Sequence, residues 1–440
     1  MMGRRTLSVM SVTNIAADDP RSSITVAREP VHVVGAGPAG LAAAIVLARG
    51  GSRVVVDEAA ACVGSRFEGD LQGLENWTTR RDALDVMRDW GLEPRFRALP
   101  CRAGIAFDAW DRAYEMRSDD PILYLVERGP GEASLDTALL RQARALDVDV
   151  RFGSRVRRLQ DGATIVATGP KAADALAVGF HFETDMRDGF WLVLDQRLAP
   201  GGYAYLLVMD GRGTVKSCMF RGFAHDREYA AATVERFRRL AGLRMRNARF
   251  HGGVGNIRLP LHAGSTLHPV AGEHAGFQDA LGGFGMRYAM ESGVLAARSV
   301  LGDGSYDATW RERLAPAVAS SILNRAIYGG LGNAGYRWLL RTQSWWGDSR
   351  SFLRWIYARG NARRVLSPWA QRRYRSARRD QGCDDAGCAC VWCRCGGEST
   401  AACEPARPGG LSVSRASSSP ARAVDSRIDP GQSHAAVMRP

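Results

Sequence analysis

Six consecutive residues, Gly35-Ala36-Gly37-Pro38-Ala39-Gly40, carry the most specific chemistry in the chain. Glycine at the first, third and sixth positions suits a backbone that must hold the pyrophosphate of a dinucleotide. Gly35 permits a tight turn, Gly37 lets the main chain approach the phosphates, and Gly40 lets a helix pack on a strand. Pro38 and Ala39 complete the turn before that helix, whose N-terminus offers free N–H groups and partial positive charge. Glu58 lies 23 residues after Gly35, where a carboxylate can accept hydrogen bonds from an adenosine ribose.

A second glycine-rich stretch runs from Ala271 to Met286 (AGEHAGFQDALGGFGM). Gly272 and Gly283 allow close approach, Glu273 can bond a ribityl hydroxyl, and the helix starting near Gly285 and Met286 can face the pyrimidine end of a flavin. Such a helix end favours an anionic reduced ring. Six of the nine cysteines fall between Cys383 and Cys403. Cys383, Cys388, Cys390, Cys393 and Cys395 could ligate zinc or an iron–sulfur cluster, form a redox dithiol or sit in an unstructured thiol-rich tail. Their C-x-C steps fit no standard finger spacing.

The elements that position these residues follow from local pattern. Val31–Val34 reads as a strand, Leu41–Arg49 as an alanine-rich helix and Arg53–Val56 as a second strand, an arrangement that sets the first turn between strand and helix. Ser65–Trp77 reads as a polar loop, Asp82–Trp90 and Leu135–Leu146 as helices, and Ile122–Val126, Val148–Phe152, Ala163–Ala167 and Leu267–Ala271 as strands. From Val178 to Phe223, alternating and β-branched runs predict an antiparallel layer inserted into the first domain, followed by a helix over Ala230–Leu240. Tyr306–Ala377 reads as mostly helical. The expected order is a flexible start (1–29), a nucleotide domain in two parts (30–177 and 263–305), an inserted sheet (178–262), an Arg/Trp-rich helical segment (306–380), the cysteine segment (381–396) and a tail (397–440). That tail is too poor in large apolar side chains to order.

The chain of 440 residues is 45% hydrophobic and 24% charged, ordinary globular proportions that exclude a lone small module. No apolar run approaches the ~18 residues of a membrane span, and the start lacks the apolar core of a secretory signal, so a cytoplasmic protein is expected. Net charge is +13, yet only Lys171 and Lys216 are lysines among 59 basic residues. Nine arginines and no acid between Arg354 and Arg379 make the basic character local. No nucleic-acid motif accompanies it. With Trp345, Trp346, Trp355 and Trp369, this patch reads either as a helical cap or as a surface resting on anionic lipid.

These motifs together resemble FAD-dependent oxidoreductases of the geranylgeranyl reductase type, within the group that includes flavin hydroxylases and halogenases. The resemblance rests on the glycine fingerprint with Glu58, on Arg128 followed by Asp136, and on AGEHAGFQDALGGFGMRYAMESG, and covers about residues 30–310. A further match, Pro200–Val208, is similar to the family's PxxYxWxFP segment, with Tyr205 in place of Trp and Leu-Val in place of Phe-Pro. The resemblance implies an α/β fold: a Rossmann-like FAD domain of the glutathione-reductase type with an inserted antiparallel substrate sheet and a helical C-terminal segment. It also implies that Arg66 and Arg128 lie beside FAD. Thr168-Gly169-Pro170 stands where hydroxylases carry Asp-Gly, and Ala280–Gly285 departs from their Pro-x-x-Gly-Gln-Gly, which counts against an oxygen-activating enzyme. The implied reaction is hydride transfer between flavin N5 and a carbon–carbon bond of a small apolar, isoprenoid or lipid-like substrate, with Tyr203, Tyr205 and His274 as candidate proton donors. A monooxygenase or halogenase, or an electron-transfer flavoprotein, is the alternative. No second nucleotide fingerprint is visible for NAD(P)H, so a protein carrier is an equal candidate as electron donor.

Overall fold

The computed structural model describes residues 29–358, apart from 160, 161, 171, 172, 258 and 266, together with 366 and 368–370. Its first layer is a parallel sheet. Strand β1 (Val31–Val34) leads through helix α1 (Pro38–Arg49) to β2 (Val54–Glu58), and the pair aligns Val31 with Val54 and Val34 with Asp57. Later segments add β8 (Asp149–Phe152) outside β2 and β9 (Thr164–Val166) outside β1. The valines of β1 and β2 are mostly buried, and α1 is buried along almost its whole length because its small alanines sit against neighbours on more than one side.

Three shorter strands follow: β3 (Asp70–Glu75), β4 (Ala98–Cys101) and β7 (Leu123–Arg128), in the antiparallel order β3-β7-β4. Helix α2 (Ala83–Asp89) is capped by Asp82, which accepts from Leu84 N, and α3 (Leu135–Arg144) by Ser134, which accepts from Thr137 N. The strand β3 corrects the expectation of a loop over Ser65–Trp77. The polar Asp70 and Glu75 that made the segment look solvated are both 2% exposed, and each is buried against a distant cation.

The second layer is a seven-stranded sheet. It contains β5 (Ala103–Asp108), β6 (Ala113–Arg117), β10 (Ala175–Glu183), β11 (Gly189–Leu194), β12 (Tyr203–Met209), β13 (Arg212–Met219) and β14 (Arg246–Gly255), in the order β14-β10-β13-β12-β11-β5-β6. Two of its strands, β5 and β6, come from the stretch expected to lie within the nucleotide domain, and the parallel β5–β11 pairing joins them to the rest. One face carries Leu206, Val208 and Val215 against Val234 and Phe237 of α4 (Asp226–Ala241). The opposite face looks toward β3 and the site described below.

Residues 267–271 form no named strand. Val270 bridges Val166 in parallel, and Pro269, which has no N–H to donate, accepts from Val166 N. Helix α5 (Met286–Val300) then packs on α1, followed by α6 (Tyr306–Arg313), α7 (Ala315–Trp346) and α8 (Ser349–Tyr357). A break at Gly332, with φ +61°, interrupts α7. Trp338, Trp345, Trp346, Trp355 and Trp369 are exposed. Among the described residues no helix is long and apolar enough to cross a membrane. Most of the Arg354–Arg379 patch, and the candidate ligands Cys383, Cys388, Cys390, Cys393 and Cys395, lie outside the described residues.

Candidate functional site

The three glycines of the first turn meet three different demands. Gly35 has φ +105°, and a Cβ there would lie 2.4 Å from Ala167 O. A Cβ on Gly40 would lie 1.9 Å from Gly35 O, so the helix passes the strand at a distance that admits only hydrogen. Gly37 is different. Its φ of −77° and ψ of 178° are open to any residue, and a Cβ there would meet nothing within 4 Å. No neighbour among the described residues requires glycine at this position. The open space lies at the start of α1, where Pro38 occupies the first turn and no side chain caps the helix.

Glu58 ends β2 beside this turn. Its Oε2 accepts from Ala36 N at 2.7 Å and its Oε1 from Ala60 N at 2.8 Å. Each oxygen keeps a lone pair for a further donor.

The second turn joins the first at Ala39. A Cβ on Gly272 would sit 2.8 Å from Ala39 Cβ, and one on Gly293 of α5 would sit 2.0 Å from Ala39 O. Gly272 has φ +67°, and its N–H donates to Ser292 Oγ at 2.8 Å. Glu273 Oε1 accepts from Asn256 N at 3.0 Å, and its Oε2 faces Arg66 Nη1 at 3.5 Å. Gly283, at φ +76°, would place a Cβ in open space, and its carbonyl accepts from Gln278 Nε2 at 2.9 Å. Gly285 precedes buried Met286 without a side-chain cap, so α5 also presents a bare N-terminus. Two buried side-chain oxygens beside this turn, Asn256 Oδ1 and Gln278 Oε1, have no partner among the described residues.

The remaining candidates separate. Arg66 spans from Glu273 to Val254 O, which it reaches at 2.8 Å. Arg128 is instead buried and paired with Asp136 at 2.8 and 2.9 Å, with Nη1 on Gln72 Oε1 at 3.3 Å and its carbon 4.1 Å from the Phe67 ring. Three of its five N–H donors bond within the chain and hold the loop after β7. Tyr203 Oη donates to Gly282 O, tying β12 to the second turn. Tyr205 is half-buried and no described residue hydrogen-bonds its hydroxyl. Burial raises both phenols well above 10, so they are protonated at neutral pH. His274 Nδ1 is engaged by Thr168 Oγ1. Cys218, opposite Tyr203 across the strands, is a thiol pushed up to about 12 by burial.

Several buried charges near the site escaped the sequence reading. Arg287, in the first turn of α5, pairs with Glu75 of β3 and with Glu291 at 3.0 Å. Asp279 accepts from Gly282 N at 2.6 Å and from Tyr357 Oη at 2.8 Å, and burial raises it to about 6. Asp70 receives Lys216 Nζ at 2.7 Å and His181 Nε2 at 3.0 Å. Burial alone would raise its carboxyl, but Lys216 and His181 together pull it well below the usual range. Asp70, His181 and His251 bring ligand atoms within 4.8 Å of one another, and the cation they surround is the Lys216 ammonium. The available signal was Lys216 itself, a rare lysine and the one charge in the strand-like run TVKSCMF.

Residues 28–174 match the model of an FAD binding domain. This part of the chain is an FAD binding domain. FAD fits the geometry around it: the open cradle at Gly37, the bare starts of α1 and α5, and the unpartnered Asn256 and Gln278 oxygens lie on or beside the two turns that meet at Ala39. The chain is similar in fold to a geranylgeranyl bacteriochlorophyll reductase-like protein from Thermoplasma acidophilum, 16% identical, over 77% of this chain and 98% of that one at a TM-score of 0.61. The flavin-dependent brominase Bmp2 is 15% identical over 74% of this chain and 92% of its own, with a TM-score of 0.54. A flavoprotein/dehydrogenase from Cytophaga hutchinsonii is 13% identical over 79% and 99%, with a TM-score of 0.54. At these identities the likeness is one of fold. No curated protein matches the chain in sequence.

Proposed function

We propose that this flavoprotein reduces, or in reverse dehydrogenates, carbon–carbon bonds of an apolar substrate of isoprenoid or lipid-like character. The observation that carries the reading is the wall beside the second turn. Leu281 and Phe284 of that turn, Tyr203 and Tyr205 of β12, Leu192 and Trp77 belong to one hydrophobic cluster, which offers an unsaturated hydrocarbon a dry surface and few hydrogen-bonding groups. FAD, when bound, supplies hydride transfer.

The chain's own residues supply position and a proton. Gly35, Gly37, Pro38, Ala39, Gly40 and Glu58 would hold the adenosine diphosphate half, and Arg66, Gly272, Glu273, Gly283, Gly285 and Met286 the flavin half. Tyr205 is the best-placed proton donor: its hydroxyl is protonated and uncommitted, whereas Tyr203 is spent on Gly282 O and His274 on Thr168. The exposed tryptophans of α7 and α8, accompanied by Arg341 and Arg354, support contact with a membrane that stores such a substrate. The electron donor is NAD(P)H or a protein carrier.

Mass spectrometry of lipids and prenyl quinones from cells with and without the gene tests the reading. A shift of two hydrogens per double bond supports it. Unchanged lipids, together with rapid NAD(P)H-dependent oxygen consumption by the purified protein, would favour a monooxygenase or halogenase instead.

A further inference from the structure

One row across the seven-stranded sheet runs Tyr205, Lys216, Gly179, His251, each residue register partner of the next on β12, β13, β10 and β14. Gly179 has no side chain, so Lys216 can reach across a strand to His251. Its Nζ donates to Asp70 Oδ2 at 2.7 Å and to His251 Nδ1 at 3.0 Å. Because Nδ1 accepts, the imidazole proton sits on Nε2, which donates to the backbone carbonyl of Arg66 at 3.0 Å. The cluster is sealed on its other side: His181 Nε2, Thr214 Oγ1 and Gln72 Nε2 also converge on Asp70, at 3.0, 3.2 and 3.0 Å.

A buried ion pair is a poor way to stabilise a sheet, since well-packed apolar residues of similar volume do as well or better. The choice of cation is also telling. The chain uses arginine nearly everywhere, with lysine at two positions of 440, yet here it places a compact ammonium with three rotatable donors, which can serve a carboxylate and an imidazole at once where a planar guanidinium fork would not fit. The chain of donors ends on Arg66, whose side chain faces Glu273 at the second turn.

We propose that Lys216 is a positioning residue for the cofactor: through His251 it fixes the Arg66 backbone, so that the Arg66 guanidinium stays beside Glu273. The proposal rests on the assignment of Arg66 and Glu273 to the FAD site. H251F leaves the Lys216–Asp70 pair intact and removes both hydrogen bonds of His251, the one from Lys216 and the one to the Arg66 carbonyl. Titration of apoprotein with FAD, followed by flavin fluorescence, should show affinity about tenfold weaker for H251F, through loss of the hydrogen bond that holds the Arg66 backbone. H251Q, whose amide keeps one acceptor and one donor, should recover most of it. R66A should weaken binding as well, and H251F/R66A should bind no more weakly than R66A alone, whereas their losses in Tm should add.

If H251F fails to fold, K216M/D70N removes both charges together and should weaken FAD by a similar factor. FAD affinity unchanged in H251F or in K216M/D70N, or losses in affinity that add in the double variant, would overturn the relay. Wild-type apoprotein that binds no FAD would overturn the cofactor assignment and this proposal with it, a result distinguishable because it appears before any substitution.

Discussion

Replacing Gly37 with alanine separates what the fold needs from what the cofactor needs. The new methyl meets no atom of the described residues within 4 Å, and the backbone angles already suit alanine. Stability should therefore change little. Alanine narrows the unfolded ensemble, which favours folding by about 0.4–1 kcal/mol, while glycine is the better N-cap by a comparable amount. The sum stays within about 1 kcal/mol, a Tm change of a few degrees. Binding is another matter, because the methyl fills the cradle where the pyrophosphate approaches. A loss of about 100-fold or more in FAD affinity is expected, equivalent to about 2.7 kcal/mol. Gly40→Ala provides the contrast. Its Cβ would lie 1.9 Å from Gly35 O, so strand and helix must part by roughly 1.5 Å to reach ordinary contact, costing about 3 kcal/mol or more. Urea denaturation and FAD titration of both variants make the check. If Gly37→Ala binds FAD as the wild type does, or loses as much stability as Gly40→Ala, the assignment of the first turn to the cofactor is wrong.

Other outcomes follow from the buried charges. Arg287→Met leaves Glu75 and Glu291 without their buried cation, and chemical denaturation should show a loss of about 3–5 kcal/mol. Asp279 has a folded value of about 6 against an ordinary 3.8, so the folded state binds its proton more tightly and this group's contribution to stability improves as pH falls through 6 toward 4. Relative to D279N, the wild type should gain up to about 3 kcal/mol across that window, and equal pH slopes for the two proteins would exclude the shift. Tyr205→Phe should lower product formation by about 10²-fold or more at unchanged FAD affinity, whereas equal loss in Tyr203→Phe alone would move the proton donor to Tyr203.

The glycine turns were legible because their demands are local: a positive φ at Gly35, a close crossing at Gly40 and an acid at the end of β2 follow from short-range sterics and strand length. The same holds for α1, α3 and the parallel strands, whose apolar period is written in consecutive residues. Ser65–Trp77 was misread for the opposite reason. Asp70 and Glu75 look like loop residues until Lys216, 146 positions away, and Arg287, 212 positions away, are brought beside them. Strands β5 and β6 hid in the same way, because their partner β11 comes much later in the chain.

Sequence alone therefore determined the first glycine turn and the α/β character of this protein, since both rest on backbone constraints that neighbouring residues impose on one another. Tertiary structure alone decided which charges are buried, which hydroxyl is left uncommitted and which lysine pairs with Asp70 and His251. Those properties depend on desolvation and on partners met across the sheet, and no periodicity in the chain encodes which distant strand will lie alongside.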